Sequence, residues 1–385
     1  MPRLYFDWNS TTPPLPEAVA AMTDVYAHAW GNPSSVHAEG RAARARLEEA
    51  RVILAGLAGA APSDVLFTSG GTEASNLALL SPYAKDPGGA FLYAPVEHAS
   101  IGAVAARLAE LGVEVRRAKV GRDGVIDRDD VARHLERGGV RLVAVQAVNG
   151  ETGVRQPVAE IASLAHAKGA VVHVDAIQGL GRIEPPGGSW LSSADTVALA
   201  AHKIQGPKGI GALATRPGHP IHPVLRGGSQ ERGLRPGTQD PALAAGFAVA
   251  AERARRSIPE YAAVARVRDR FEAGLRALGQ PGDVGVNGEG APRVGHVVHV
   301  SFRHWSSPEL VAALDLEGLA CSGGAACHAG VPEPSATLVA MYGELPDEHW
   351  RYLGPVRFSL PPWTVDDDVD AALAIIRRVL ERQRS

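Results

Sequence analysis

The chain has 385 residues, 45% hydrophobic and 21% charged, the composition of a soluble globular protein with about two or three domains. Its net charge of -3, with both signs interspersed, excludes the electrostatic footprint of a nucleic-acid binder. No apolar run approaches the ~18 residues of a membrane span, the first residues lack a signal-peptide core, and 2 cysteines make no disulfide framework, so a reducing cytoplasm is expected.

Taken in chain order, the first dozen residues are expected to pack against a later, smaller domain rather than to start the main sheet. From about residue 64 to 215, β-rich runs alternate with helical patterns. The strand candidates are "DVLFTS", "GAFLYAP", "VEVRRA", "VRLVAVQ", "AVVHVDA", "DTVALAA" and "IGALAT". Between them, stretches such as Ile101–Leu111 and Val158–Lys168 repeat apolar residues at helical spacing. This alternation predicts an α/β fold, a mostly parallel seven-stranded sheet with helices on both faces. After about residue 255 the pattern changes to a helix over Tyr261–Leu278, "GHVVHVSF", a helix from Ser307, a cysteine-bearing loop, "GPVRFSL" and a final helix. That predicts a smaller α+β domain of residues 1–13 and 257–385 beside a large domain of 14–256.

In such sheets ligands sit beyond the carboxyl ends of the strands. "VVHVDAIQG" stops at Asp175, with Gln178 three residues on; "VALAAHKIQGPKGIG" stops at His202 and Lys203. "FTSGGTEASN" stops at Gly70-Gly71, followed by Thr72 at a helix start, where free N–H groups favour an anion, although a plainly capped helix gives the same pattern. Most lysines are solvated, but one at the inner end of a buried strand is desolvated, which favours the neutral amine that forms Schiff bases. Asp175 reads either as a helix cap or as a carboxylate beneath a pyridinium nitrogen.

Both cysteines fall in "CSGGAACHAG", residues 321 to 330. Two cysteines are too few for a structural zinc site, and no Cys/His spacing nearby completes one. Inert thiols, a disulfide and a nucleophile all remain open on the residues alone.

The ordered set "SGGTE", "VEHAS", "HVDAIQG", "AHKIQGPKGIGAL", "GGSQERGLRPGTQD", "CSGGAACHAG" and "VRFSL" resembles the NifS/IscS-type cysteine desulfurases. These belong to the class V aminotransferase branch of fold-type I pyridoxal 5'-phosphate (PLP) enzymes. The resemblance runs from "YFDWNSTTP" to "RFSL", nearly the whole chain. It implies conversion of L-cysteine to L-alanine with a persulfide formed on Cys327. It implies Lys203 as the lysine that carries PLP, His98 as the residue stacked on its ring and serving as acid/base, and Asp175 and Gln178 as contacts to the ring nitrogen and hydroxyl. Gly71, Thr72 and His202 would hold the phosphate, with Thr238 reaching it from the partner of a homodimer. Arg357 would clamp the substrate carboxylate, with Asn32 and Asn149 near that pocket. Cys321 carries no implied role. The Gly/Ala-rich loop would let Cys327 swing inward to attack and outward to an acceptor protein.

Two positions depart from the family pattern. Gly150 in "VNGETG" and Ala200, two residues before His202, stand where asparagine and a phosphate-binding serine are usual. Each loses one hydrogen bond, and Gly150 invites the question whether the backbone there needs a glycine. His328 after the nucleophile resembles the selenocysteine lyase branch as well as some desulfurases, so such a lyase is one rival reading, and Gly150 and Ala200 keep a weakly active scaffold as another. Cysteine-versus-selenocysteine turnover separates the first pair and a visible cofactor band the second. The acceptor is left open among an iron–sulfur scaffold, tRNA thiolation and cofactor synthesis.

Overall fold

The computed structural model describes residues 3–280, 282–323, 334–343 and 345–382. In chain order, β1 (Leu4–Tyr5) precedes α1 (Pro16–His28) and α2 (Ala38–Ala58). Then come β2 (Val65–Thr68), α3 (Gly71–Leu80), β3 (Ala90–Tyr93), α4 (Ala99–Glu110), β4 (Val115–Arg117) and α5 (Arg128–Glu136). They are followed by β5 (Val140–Gln146), α6 (Val158–Ala167), β6 (Val171–Asp175), β7 (Thr196–Ala200), β8 (Gly211–Thr215) and α7 (Pro241–Ala263). The remainder comprises α8 (Ala265–Arg276), β9 (Val284–Val286), β10 (Val297–Phe302), α9 (Ser307–Leu316), β11 (Leu319–Ala320), α10 (Ala336–Tyr342), β12 (Pro355–Ser359) and α11 (Asp366–Arg382).

All seven expected strands form one sheet, ordered β2-β8-β7-β6-β5-β3-β4. Strand β8 is antiparallel to both its neighbours and every other adjacent pair in this sheet is parallel. The strands read as continuous apolar runs because helices cover both faces. Leu92, Val143, Val145 and Val174 pack with Leu54 of α2, Ile161 of α6 and Phe247 of α7. The alternate residues Phe91, Tyr93, Leu142 and Ala144 pack with Leu79 of α3 and Ile101 and Leu108 of α4.

A second core joins Phe6 to Phe271 of α8, Val298 and Val300 of β10, Leu314 of α9, Phe358 of β12 and Ile376 of α11. Phe271 meets Phe6 and Phe358 edge to face, at centroid distances of 5.8 and 5.1 Å. Strand β1 pairs in parallel with β11, so the start of the chain lies among its late elements. The single helix expected over Tyr261–Leu278 is two. Tyr261 lies in the last turn of α7, which ends at Ala263, and Val264, with ψ -11, separates it from α8.

Candidate active site

The carboxyl ends of β5, β6 and β7, the turn before α4 and the first turn of α3 converge on a cavity of about 420 Å³. This is where a parallel sheet leaves room for a ligand. Gly71, Thr72, His98, Asn149, Asp175, Gln178, His202, Lys203 and Arg357 all line it.

Lys203 follows β7 directly, in a short 3-10 turn. Its Nζ donates to Asn9 O at 2.6 Å and Ser10 O at 2.8 Å. Burial, followed by the Arg182 and Arg357 charges, pushes the amine down to about 7. A neutral amine has two hydrogens and one lone pair; the two carbonyls take the hydrogens and leave the lone pair for bond formation. Asp175 ends β6, and its Oδ1 accepts the Ile177 amide at 2.9 Å. Burial raises this carboxyl, while His98, the Ile177 amide and Lys203 draw it back toward ionisation.

His98 caps α4: its Nδ1 accepts the Ser100 amide at 3.2 Å. That bond places the ring proton on Nε2. His202 Nδ1 lies 3.2 Å from Thr11 Oγ1. Burial, reinforced by Lys203, Lys208 and Arg182, holds His202 down at about 4, so it offers an anion a neutral N–H rather than a charge. Among the described residues no side chain caps the first turn of α3. A Cβ on Gly71 would meet the Ile177 side-chain end at Cδ1, which would have to turn aside. An open helix start beside Thr72 and His202 suits a phosphate.

Arg357 NH2 donates to Asp7 Oδ1 at 2.8 Å and Ser10 Oγ at 2.7 Å, and NH1 to Gly150 O at 3.1 Å. Among the described residues its Nε finds no acceptor. This guanidinium is braced and keeps one buried donor unspent, a binding capacity for a carboxylate. Gln178 Nε2 donates to Asn9 O at 3.0 Å, and its Oε1 accepts from Arg182.

Asn149 is tied into the fold, Asn32 lies away from this cavity, and Thr238, expected to serve the partner's site, stands apart from this chain's own. Asn149 donates through Nδ2 to Val96 O and Thr337 Oγ1, and its Oδ1 accepts from Glu151 N, Thr152 N and Thr152 Oγ1. Its amide holds the turn after β5, and the residue lines the cavity from there. Asn32 is exposed, its Oδ1 accepts the Ser34 amide at 2.9 Å, and it does not line this cavity. Thr238 lines a separate cleft of about 130 Å³ with Phe67 and Arg235. Cys327 and His328 lie outside the described residues. Cys321 packs partly buried against the second core, and burial, with Asp7 and Asp315 adding, pushes its thiol up to about 12.

The sequence reading missed Asn9, Arg182 and Glu97. Asn9 joins distant elements: its side chain donates to Gly150 O at 3.0 Å and lies 2.8 Å from His296 Nε2, while its carbonyl serves Lys203 and Gln178. Arg182 NH2 donates to Lys203 O at 3.0 Å. The motifs "YFDWNSTTP" and "VEHAS" contain Asn9 and Glu97, but their partners lie tens to hundreds of residues away.

Residues 4–372 match the aminotransferase class-V family. The chain belongs to that family. Within it, a cysteine desulfurase of Cereibacter sphaeroides is 38% identical over 388 residues, covering 100% of this chain and 97% of the relative. An IscS-like cysteine desulfurase of Mycobacterium tuberculosis is 37% identical over 99% of this chain and 97% of the relative. Among solved structures, a NifS-like protein superimposes with a TM-score of 0.88 at 29% identity, over 99% of this chain and 100% of that one. The protein is therefore a class-V enzyme of cysteine desulfurase type.

Proposed function

We infer that the protein is a PLP-dependent cysteine desulfurase that converts L-cysteine to L-alanine and leaves the sulfur as a persulfide on Cys327. The observation that carries this reading is one cavity that gathers a lysine amine held down at about 7, a buried carboxylate at the neighbouring strand end and a braced arginine with a spare N–H. That donor set fits PLP: an open helix start for the phosphate, a carboxylate for the ring nitrogen and an uncharged amine for the aldehyde.

When bound, PLP supplies an electron sink for the bonds at the substrate Cα. The chain's residues do the rest. Arg357, fixed by Asp7 and Ser10, holds the substrate carboxylate. Lys203, whose amine is held down at about 7, would carry the α-proton between positions. Asp175, raised by burial and drawn back toward ionisation by His98, the Ile177 amide and Lys203, would face the ring nitrogen. Thr72, Gly71 and His202 would hold the phosphate, His98 would supply an acid from Nε2–H beside the ring, and Gln178 would serve the ring hydroxyl. Cys327 as thiolate attacks the substrate sulfur; the C–S bond breaks, the carbon takes a proton, and the products are alanine and Cys327–S–SH. We place Thr238 at the partner's phosphate in a two-fold dimer, with an acceptor protein taking the sulfur and the cytoplasm as compartment. No helix among the described residues is long and apolar enough to cross a membrane. The two separate cores support a division into residues 14–256 and 1–13 with 257–385.

Mass spectrometry of the dimeric fraction after incubation with L-cysteine tests the reading: one extra sulfur on the Cys327 peptide and one alanine per sulfur are expected. Alanine without modification of that peptide, or full activity in a stable monomer, would overturn it.

The two departures are open to restoration. Ala200 is buried at the end of β7, with its Cβ 3.7 Å from where a Cβ on Gly71 would stand, so a hydroxyl there reaches toward the α3 start. One added bond to a phosphate is worth about 1.5 kcal/mol, so Ala200→Ser should slow PLP loss on dialysis roughly ten-fold. An unchanged rate would mean that another group already fills the place. Gly150 is not among the glycines with positive φ, and a Cβ on it would meet Gln178 Nε2 at an ordinary 3.5 Å. Nothing in the backbone requires glycine there, and Gly150→Asn is a second allowed restoration.

A further inference from the structure

Glu97 immediately precedes His98, lines the cavity, is 8% exposed and has no role in the reaction as derived. Its Oε1 accepts the Gln146 amide at 2.8 Å, and among the described residues its Oε2 has no hydrogen-bond partner. The backbone around it is clamped: Val96 O accepts from Asn149 Nδ2 at 2.8 Å and from Gln146 Nε2, and the Glu97 amide donates to Ala94 O at 3.0 Å. Gln146 ends β5 and is the β-partner of Asp175 at the end of β6, so the Glu97 carboxyl, bound to the Gln146 amide from the turn before α4, stands one strand over from Asp175. A clamped carboxyl cannot swing its orphaned oxygen into water. Two buried like charges at one end of a cavity repel, and one of them keeps its proton.

We propose that Glu97 is a positioning residue that remains a neutral acid beside Asp175, so that this end of the cavity presents one negative charge, on Asp175, rather than two. The surroundings decide which carboxyl keeps the proton. Asp175 is faced by His98 from the turn before α4, by Lys203 after β7 and by the Ile177 amide, all of which favour its charge. Glu97 is faced by the Gln146 amide and, among charged groups, by Asp175, which opposes its charge. The next groups out, Arg182, Arg357 and Asp7, act on Lys203. Burial first, then Asp175, lifts Glu97 to about 8, against the Gln146 amide. The charge at this end of the cavity therefore doubles as the solution passes pH 8. The pairing concerns the protein alone and rests on the desulfurase reading only for its effect on turnover.

The test is a pH titration of the full chain, dialysed free of small ligands, by infrared difference spectroscopy, with Glu97→Gln and Asp175→Asn alongside. The wild type is expected to show a protonated-carboxyl band at pH 6 that disappears near pH 8 and is missing from Glu97→Gln. In Asp175→Asn the same band should disappear at a lower pH, because the opposing charge is gone. Melting temperatures give a second readout. Between the unfolded carboxyl value near 4.5 and the folded value near 8 the native state holds the extra proton, so stability falls as pH rises. The wild type should lose ground to Glu97→Gln over that window and run parallel above it. The alkaline limb of kcat should move with Glu97→Gln, a shift that a purely packing role would not produce. A wild type without the band at pH 6, an unshifted midpoint in Asp175→Asn, or a melting difference constant from pH 5 to 9 would each overturn the proposal. None of these binding-free readouts depends on whether cysteine is the substrate.

Discussion

Cys327→Ala is expected to lower sulfur transfer by at least about a thousand-fold, because no other thiol can act as the nucleophile. Cysteine should still perturb the absorbance of the bound cofactor in that variant, since amine exchange at Lys203 needs no thiol. Cys321→Ala is expected to keep turnover within about two-fold and to cost roughly 1–2 kcal/mol of stability, the loss of a small partly buried hydrophobe. The contrast rests on the thiolate. With burial, Asp7 and Asp315 pushing its thiol up to about 12, Cys321 stays a thiol at pH 7. It also sits against the second core, with β11 just before it and Ser322 bridged to Arg357 just after, so it cannot travel. If Cys321→Ala proved dead and Cys327→Ala active, the nucleophile would be misassigned by six positions. Restored activity in neither variant alone, but only in the pair, has no place in this account.

The sheet was legible because its strands are short apolar runs that end in polar residues, and a buried parallel strand cannot read otherwise. Asp175, His202 and Lys203 were visible for the same reason: each breaks an apolar run at the end where ligands bind. What stayed hidden depends on long-range closure. Asn9 joins Gly150, His296 and Lys203, contacts separated by 141 to 287 residues, and nothing within "YFDWNSTTP" announces them. Arg182 lies in "GLGRIEPP", which shows no periodicity, yet it lowers both Lys203 and His202 through space. Asn149 is the converse case. Its motif position suggested a ligand contact, and the fold adds what the motif did not announce, five hydrogen bonds that tie its amide into the turn after β5. The break at Val264 was missed because apolar spacing continues across it, and only ψ reveals the turn.

Lys203 gives the other large expected effect, with a pH signature of its own. Lys203→Arg should lose turnover by at least about a thousand-fold despite its similar size, because a guanidinium stays charged and cannot bond to an aldehyde. Borohydride treatment of the yellow wild type should fix PLP on Lys203, and label on Lys208 would refute the assignment. The pH dependence follows from the causes of the shift. Burial and the two arginines disfavour the ammonium, so the proton leaves near 7 rather than 10.5. Below that value the amine is charged and unreactive; above it, two carbonyls hold its hydrogens and the lone pair is free. The rate at which PLP recombines with the stripped protein should rise about ten-fold per pH unit up to near 7 and then level off. Asp7 and Asp175 pull the other way but rank behind burial and the arginines, so they moderate the shift without cancelling it. A rate still climbing between pH 8 and 10 would mean that Lys203 titrates like a solvated lysine, and that burial and Arg182 do not prepare it for the cofactor.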